Sequence, residues 1–175
     1  MITISNPSAL SWIFPGVGGF DTRDGEIKNW PASVPTMSQA ELDALDVEYA
    51  IVEQRQRAVA DLVSQIDGKA AQITGNVPEY ERLSWPTKAD AARAHVAGSP
   101  TADQTAMLQT EATLTGKTVD ALAASIIAKA DAYSGLISAM SAIRQTGADA
   151  IATATDGPGV DAALAAAQTS LDAIG

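Results

Sequence analysis

The sequence contains no cysteine, a single histidine and few aromatic residues, and each shortage narrows what the chain can do. Without cysteine there is no disulfide, no thiolate nucleophile and no cysteine-based zinc site. Aromatic residues make up 5% of the chain although hydrophobic residues reach 46%, because alanine supplies much of the apolar total. Since alanine side chains bury little surface, we expect a thin core that a partner or a second copy helps to cover.

Basic residues are also scarce. Eleven Lys and Arg stand against 21 Asp and Glu, which gives a net charge of −10 and a pI near 4.3. Because phosphate backbones and anionic lipids are bound by clustered basic side chains, we expect neither nucleic acid nor a membrane as partner. No apolar run approaches the roughly 18 residues of a spanning helix. The first residues lack the basic start and the apolar run of a signal peptide.

Residues 1–37 differ from the rest of the chain and predict a short β or irregular arm. Four prolines, four glycines and two of the three tryptophans fall in this part. Residues 2–4 and 10–14 are candidate strands, and Asp24 followed by Gly25 is a tight-turn signal. Because so short a segment cannot bury a core of its own, we expect the arm to dock on the chain's own helices or on a partner.

A long helix is predicted at 38–75, where the pattern also fits a coiled coil. Ser38 and Glu41 form a capping-box pair at its start. Beyond them apolar residues recur at alternating steps of three and four, and nine of the ten a and d positions of five heptads are apolar. We call these ten positions the heptad seam: Leu42, Leu45, Tyr49, Val52, Gln56, Val59, Val63, Ile66, Ala70 and Ile73.

The heptad seam fits two arrangements. It can pack against other copies, and a polar residue such as Gln56 at an a position commonly fixes register and stoichiometry. The same stripe can pack within one chain, against the helix predicted at 119–151. The length of the helix favours the first arrangement, and we expect a homo-oligomer. The predicted interface residues in the seam are Leu42, Leu45, Tyr49, Val52, Gln56, Val59, Val63 and Ile66.

A linker at 76–86 and an alanine-rich helical domain at 87–175 are predicted for the rest of the chain. Within the domain we expect helices at 88–97, at 100–115 and from Thr118 onward. Thr87 should cap the first of these, while Gly135 and Gly147 should interrupt the last. The sequence Gly-Pro-Gly at 157–159 should break the helix and leave a weak helical tail. The predicted fold class is therefore mainly α, with a C-terminal helical bundle.

No group of residues in the sequence points to catalysis, a metal or a cofactor. His95 stands without neighbouring carboxylates or cysteines. Residues 15–19 are rich in glycine, but no Gly-Lys-Ser/Thr follows as in a phosphate-binding loop. The acidic residues Asp43, Asp46 and Glu48 lack the glycine and the terminal glutamate of a calcium loop. We therefore predict that the chain is not an enzyme and has no catalytic residue, metal site or cofactor.

The tryptophans have two interpretations. Trp30 and Trp85 each precede a proline, which favours an extended backbone and projects the ring from it. The rings can fill gaps between helices. Alternatively, Trp12 and Trp30 belong to an aromatic arm that anchors on a partner, where aromatic residues dominate binding energy. Trp12, Trp30 and Trp85 are therefore added to the predicted interface residues.

Two stretches resemble proteins of tailed bacteriophages. Residues 26–31 with Pro35, followed by 39–44, resemble small tail-fibre assembly proteins, in which an extended Trp-Pro segment commonly precedes a long polar helix. Residues 83–94, with 128–133 and the alanine-rich remainder, look like a helical domain of uncharacterised function that occurs in phage tail and fibre-associated proteins. The N-terminal part is shorter than the β-domain with which a typical assembly chaperone holds fibre tips.

The resemblance implies a non-enzymatic tail protein that acts in fibre assembly or attachment through helical oligomerisation. It favours a trimer, which would match the symmetry of the fibre. The partners of the protein would be tail-fibre or baseplate proteins, and it would act in the host cytoplasm during assembly. The alternative is a permanent component of the virion tail, such as a tail or baseplate adaptor or a fibre-anchoring subunit. A self-contained helical enzyme or ligand-binding domain would need a pocket lined by convergent polar groups.

Overall fold

The computed structural model describes residues 2–75 and 77–174. Its elements are α1 Ser8–Ile13, β1 Asp21–Arg23, β2 Glu26–Asn29, α2 Gln39–Thr74, α3 Glu79–Val96, α4 Ala102–Thr115, α5 Val119–Thr153 and α6 Gly157–Asp172. The predicted fold class is confirmed, since the protein is mainly helical, with a small N-terminal sheet, a long helix and a helical C-terminal region. Met1 and Gly175, at the ends of the predicted arm and helical domain, and Asn76 in the predicted linker lie outside the described residues.

The chain divides into two compact units. The first unit comprises Met1–Leu62 and Gly147–Ala166, and the second comprises Val63–Thr146 and Ala167–Gly175. The arm belongs to the first unit, whereas α3 and α4 belong to the second. The domain boundaries predicted from the sequence stay predictions.

A β-hairpin forms the centre of the arm. Strands β1 and β2 are antiparallel, with Thr22 opposite Ile27. Asp24 and Gly25 connect them with φ angles of 52° and 76°, the left-handed values that a tight hairpin turn needs. This agrees with the turn predicted there. Residues 2–4 lie along β2, where the N–H of Ile4 donates to the carbonyl of Gly25 at 2.8 Å.

The strand predicted at 10–14 is wrong, because these residues belong largely to helix α1. Ala9 and Leu10 are adjacent in the sequence and both are buried. Successive side chains of a strand point to opposite faces, whereas a helix can turn two neighbours toward one core. A helical turn therefore buries these apolar side chains. Asn6 supports the turn by accepting the N–H of Ser8 at 3.1 Å.

The start of α2 carries the predicted capping box. The N–H of Ser38 donates to the Glu41 carboxylate at 2.7 Å, and the N–H of Glu41 donates to the Ser38 hydroxyl at 3.3 Å. The Ser38 backbone bond, and then the bond from its hydroxyl, lower the pKa of Glu41 from its ordinary value of 4.5. The ionised carboxylate therefore helps to fix the residue at which α2 begins.

Helix α3 replaces most of the predicted linker. It begins at Glu79, so Thr87 lies inside the helix and is not an N-cap, and the extended conformation expected for Trp85 and Pro86 is wrong. A proline inside a helix costs about 3 kcal/mol, because it lacks an N–H and crowds the preceding turn. The Trp85 ring meets the ring of Tyr133 edge-on, at 5.4 Å between centroids, and this tertiary contact helps to offset the cost.

Helices α4 and α5 both begin at threonine N-caps, and the start at Thr118 agrees with the prediction. The Thr101 hydroxyl accepts the N–H of Gln104 at 3.2 Å in a second capping box, and the Thr118 hydroxyl accepts the N–H of Ala121 at 3.2 Å. Gly135 does not interrupt α5, which runs unbroken from Val119 to Thr153, and neither does Gly147. A glycine costs a helix only about 1 kcal/mol relative to alanine, which a long packed helix can absorb.

The Gly-Pro-Gly sequence at 157–159 begins α6 and does not act only as a breaker. The Asp156 carboxylate accepts the N–H of Gly159 at 2.8 Å, which caps the helix. Pro158 lies in the first turn, where backbone N–H groups have no partner within the helix, so its missing N–H costs nothing. The helix does break before this sequence, after Thr153, whereas residues 157–159, where the break was predicted, are helical.

The lowered pKa of Glu41 makes the stability of the α2 start depend on pH. Since the pKa is lower in the folded chain than in the unfolded one, the contribution is present above pH 4.5 and is lost as the pH falls through the folded pKa. Glu41→Gln keeps an acceptor oxygen that does not titrate. We expect the wild type to melt above this variant at neutral pH, and the difference to shrink below pH 4.5. Melting curves followed by circular dichroism measure it, and a difference that stays constant with pH would contradict the expectation.

Candidate functional site

The first two positions of the heptad seam lie under the arm of the same chain. Leu42 and Leu45 are buried in one cluster with Ile4, Ala9 and Leu10. Burying a large aliphatic side chain contributes about 1.5–3 kcal/mol, so this contact holds the arm on α2. The sequence left open whether the arm docks on its own helices or on a partner, and here it docks on its own helix.

Gln39 holds the edge of the arm. Its side-chain amide pairs with both backbone groups of Thr3, accepting the N–H through Oε1 and donating through Nε2 to the carbonyl, both at 2.9 Å. Each such bond is worth about 0.5–1.5 kcal/mol net. The amide therefore takes the place that a neighbouring strand would have.

Two carboxylates on the same stripe of α2 continue this attachment. Asp46 accepts the N–H of Ser5 at 2.6 Å and the N–H of Asn6 at 3.0 Å. Glu53 accepts the side-chain amide of Asn6 at 3.1 Å. Because positions seven apart lie on one face of a helix, these residues form a row. We call the row the polar clasp: Gln39, Asp46 and Glu53.

Trp30 packs inside the arm. Its ring lies edge-on to Phe14 at 6.2 Å and to Phe20 at 5.3 Å. Its Nε1–H donates to the carbonyls of Val34 at 3.3 Å and Pro35 at 3.1 Å. The ring thus fills a gap in this structure, as one of the two interpretations has it, and a role for Trp30 at a partner interface stays a prediction.

Trp12 presents apolar surface to solvent. Its ring lies 5.9 Å from the ring of Tyr49 on α2, and it is 40% exposed beside Ile13 at 42%. Tyr49 is half-buried. These side chains leave an apolar area at the junction of the arm and α2, which is consistent with the predicted interface role of Trp12 and does not test it.

The middle of the heptad seam lines an open groove of about 460 Å³. We call it the seam groove, and it is lined by Val52, Arg55, Gln56, Val59, Ile151 and Ala152. Val52 and Val59 are half-buried, whereas Gln56 is exposed. The end of α5 therefore covers this part of the seam only in part.

Beside the groove, polar side chains of α2 form hydrogen bonds to the segment between the end of α5 and the first turns of α6. Gln54 donates to the Asp161 carboxylate at 2.7 Å and to the carbonyl of Gly157 at 3.2 Å. The Arg55 guanidinium donates to the carbonyl of Ala154, with its Nε at 3.1 Å. A Cβ on Gly157 would lie 2.8 Å from Gln54 Oε1, so the close approach suits a glycine.

Further along α2, the buried side chains no longer fall at the heptad positions. Val63 is exposed and Ile66 only half-buried, whereas Ala58 and Leu62, which lie outside the seam, are buried. The buried positions shift by one residue toward the N-terminus, from 59 and 63 to 58 and 62. A shift of one position turns the buried face by about 100°, so a different side of α2 is buried there.

Trp85 lies in the second unit, where it fills a gap between α3 and α5 against Tyr133. Close to it in the sequence, Tyr80 and Leu83 are largely exposed, at 77% and 72%. These two residues are three apart and share one face of the first turns of α3. Sequence reasoning placed Trp85 at a partner interface, and that role stays a prediction.

A second open groove, of about 570 Å³, lies between α3 and α4. It is lined by Lys88, Ala106, Met107, Thr110, Glu111, Leu114 and Thr115. Lys88 and Glu111 form an ion pair across it at 2.8 Å. The two charges are thus satisfied by each other, and most of the remaining lining is apolar.

His95 has a partner that the sequence analysis missed. Its Nε2 lies 2.7 Å from the Asp120 carboxylate, in the first turn of α5. The expectation of a histidine without neighbouring carboxylates is wrong, because the two residues are 25 positions apart and meet only in the fold. Among residues 2–75 and 77–174, no three acidic or histidine side chains form a group that could hold a metal ion.

Sequence reasoning also missed the polar clasp. The signal was present, since Gln39, Asp46 and Glu53 recur at steps of seven beside the seam. Polar residues at that spacing are read as a solvated helix face, and nothing local in the sequence shows that the arm lies over them.

Over the described ranges, no helix is sufficiently long and apolar to cross a membrane.

Asp46→Ala should loosen the arm. It removes both acceptor bonds to the arm backbone, a loss of roughly 1–2 kcal/mol, which corresponds to a factor of about 5–30 in an opening equilibrium. We expect amide hydrogen exchange at Ile4 and Ile27 to accelerate by that factor. Asp61→Ala, at an exposed position of the same helix, is the matched control. Equal exchange in the two variants would show that the clasp does not hold the arm.

Comparison with known proteins adds no relative. No protein-family model, no curated protein and no solved structure matches the chain.

Proposed function

We propose that the chain is a non-enzymatic assembly protein of a bacteriophage tail, which associates with itself through the seam groove and binds the tail fibre or the baseplate. It acts by covering apolar surface on a partner that is unstable alone, and it carries out no turnover. A trimer is favoured because it matches the symmetry of the fibre. The phage assignment rests on the resemblance of residues 26–44 and 83–94 to tail-fibre-associated proteins.

Self-association is supported above all by the incomplete cover of Val52, Gln56 and Val59. They are consecutive a and d positions, and coiled coils insert such side chains between those of a facing helix. Besides its four residues from α2, the groove is lined within the chain by Ile151 and Ala152 of α5. A second α2 on the open side would remove further apolar surface from water, at roughly 25 cal/mol per Å².

The bonding of the polar side chains in the two grooves favours a role in assembly over a role in catalysis. An active site brings titratable groups together in a concave pocket where they remain free to act. Here Lys88 is paired with Glu111, and the Arg55 guanidinium is bonded to the carbonyl of Ala154. Both grooves are shallow and mostly apolar, which suits contact with another protein.

Two forms of the proposed role differ in where the protein ends up. As an assembly factor it leaves before the particle is complete and works in the host cytoplasm. As a tail or baseplate adaptor or a fibre-anchoring subunit it stays in the virion tail. Mass spectrometry of purified particles separates the two, and co-purification of fibre or baseplate proteins with the tagged chain tests the partner. Recovery of the chain without either class of protein would contradict the proposed partners.

Aspartate at both Val52 and Val59 should abolish self-association, because it buries two carboxylates in an apolar contact. The expected result in light scattering is an oligomer for the wild type at micromolar concentration and a monomer for the variant. Val47→Asp is the matched control, since Val47 lies on the same helix outside the seam and is 64% exposed.

Circular dichroism checks that the helix content of these variants is unchanged. A monomeric wild type, or a doubly substituted variant with the mass of the wild type, would refute self-association through the seam groove.

A further inference from the structure

The face of α2 beneath the arm is selective in its chemistry. Its floor is apolar, formed by Leu42 and Leu45. Beside the floor, two members of the polar clasp, Gln39 and Asp46, accept the backbone N–H groups of three arm residues: Thr3, Ser5 and Asn6. A suitable occupant therefore brings free backbone donors together with apolar side chains such as Ile4 and Leu10.

A second α2 helix is a poor occupant of this face. From Gln39 to Glu53 the helix carries five carboxylates and no basic residue. Like charges at facing positions of a helix pair repel each other, so two parallel copies of this stretch would repel each other. The arm avoids that repulsion, because it meets Asp46 and Glu53 with hydrogen-bond donors.

The connection between the arm and α2 allows the arm to reach a neighbour. Residues 31–38 contain no helix or strand, and eight extended residues span at most roughly 27 Å. Packed helices lie about 8–10 Å apart. The turn within the connection is held by hydrogen bonds from the Val34 N–H to the Pro31 carbonyl at 3.3 Å and from Trp30 Nε1 to the carbonyls of Val34 at 3.3 Å and Pro35 at 3.1 Å.

We propose that copies of this chain exchange arms, so that residues 2–10 of one copy occupy the face between Gln39 and Glu53 of its neighbour. This inference rests on the proposed self-association and names a second contact within it. The arm makes the same contacts in either arrangement, so exchange sacrifices none of them. Contact at the seam groove holds the neighbouring face at a high effective concentration.

Single-cysteine variants test the exchange in full-length protein, because the chain has no cysteine of its own. Thr3→Cys and Gln39→Cys are produced together in one cell and treated with a short bismaleimide. Since no chain carries both cysteines, a cross-link between positions 3 and 39 can form only between copies. With random mixing, about half of the chains should become covalent pairs of mixed type.

Two controls make either outcome decisive. A chain carrying both substitutions should cross-link to itself or to a neighbour, which establishes that the two positions are within reach. Thr3→Cys produced together with Asp61→Cys should give few covalent pairs, because Asp61 is exposed and lies 22 residues, about 33 Å, along α2 from Gln39.

Equal yields from the two mixtures, with the wild type oligomeric, would overturn arm exchange and leave the proposed self-association standing. A monomeric wild type would remove both. A mixed-pair yield that falls when Val52 and Val59 are replaced by aspartate would support the exchange as part of the same assembly.

Discussion

The apolar stripe of α2 has to be covered along its length, because a helix of 36 residues draws most of its stability from tertiary packing. Different neighbours do this in the first unit. The arm covers Leu42 and Leu45. The end of α5 and the start of α6 lie against the middle of the stripe, where Gln54 and Arg55 bond to the chain at 154–161. The cover is complete under the arm and incomplete at the seam groove. The open part of the stripe is therefore where the chain has surface left for another protein.

Much of the fold could be predicted from the sequence, because local chemistry decides where its elements begin. Ser38 and Glu41 cap the start of α2 through residues three positions apart, and Asp24 with Gly25 sets the hairpin turn. Such signals depend on short-range bonds that hold in any tertiary context. The errors fell where a distant contact outweighed a local preference, as at Pro86, which stays helical beside the contact of Trp85 with Tyr133.

The candidate site was predicted less well, for two physical reasons. The heptad pattern identified the apolar stripe, but α2 buries Leu62 in place of Val63, because the neighbours that pack on a long helix decide which of its faces is buried. The polar clasp depends on where the arm lies, and the arm reaches Asp46 from 40 or more positions away. Nothing in the neighbouring sequence distinguishes its carboxylates from solvent-exposed ones. The interface roles assigned to the tryptophans and to the heptad seam stay predictions.

The pairing of Gln39 with Thr3 has a consequence for the behaviour of the chain at high concentration. An unpaired strand edge invites another chain to add a strand, and this is a common route to aggregation. Residues 2–4 bond to the hairpin on one side, and on the other the side-chain amide of Gln39 takes both backbone groups of Thr3. The amide imitates one residue of a missing strand but cannot be extended as a strand can. This edge of the sheet is therefore closed to polymerisation by strand addition.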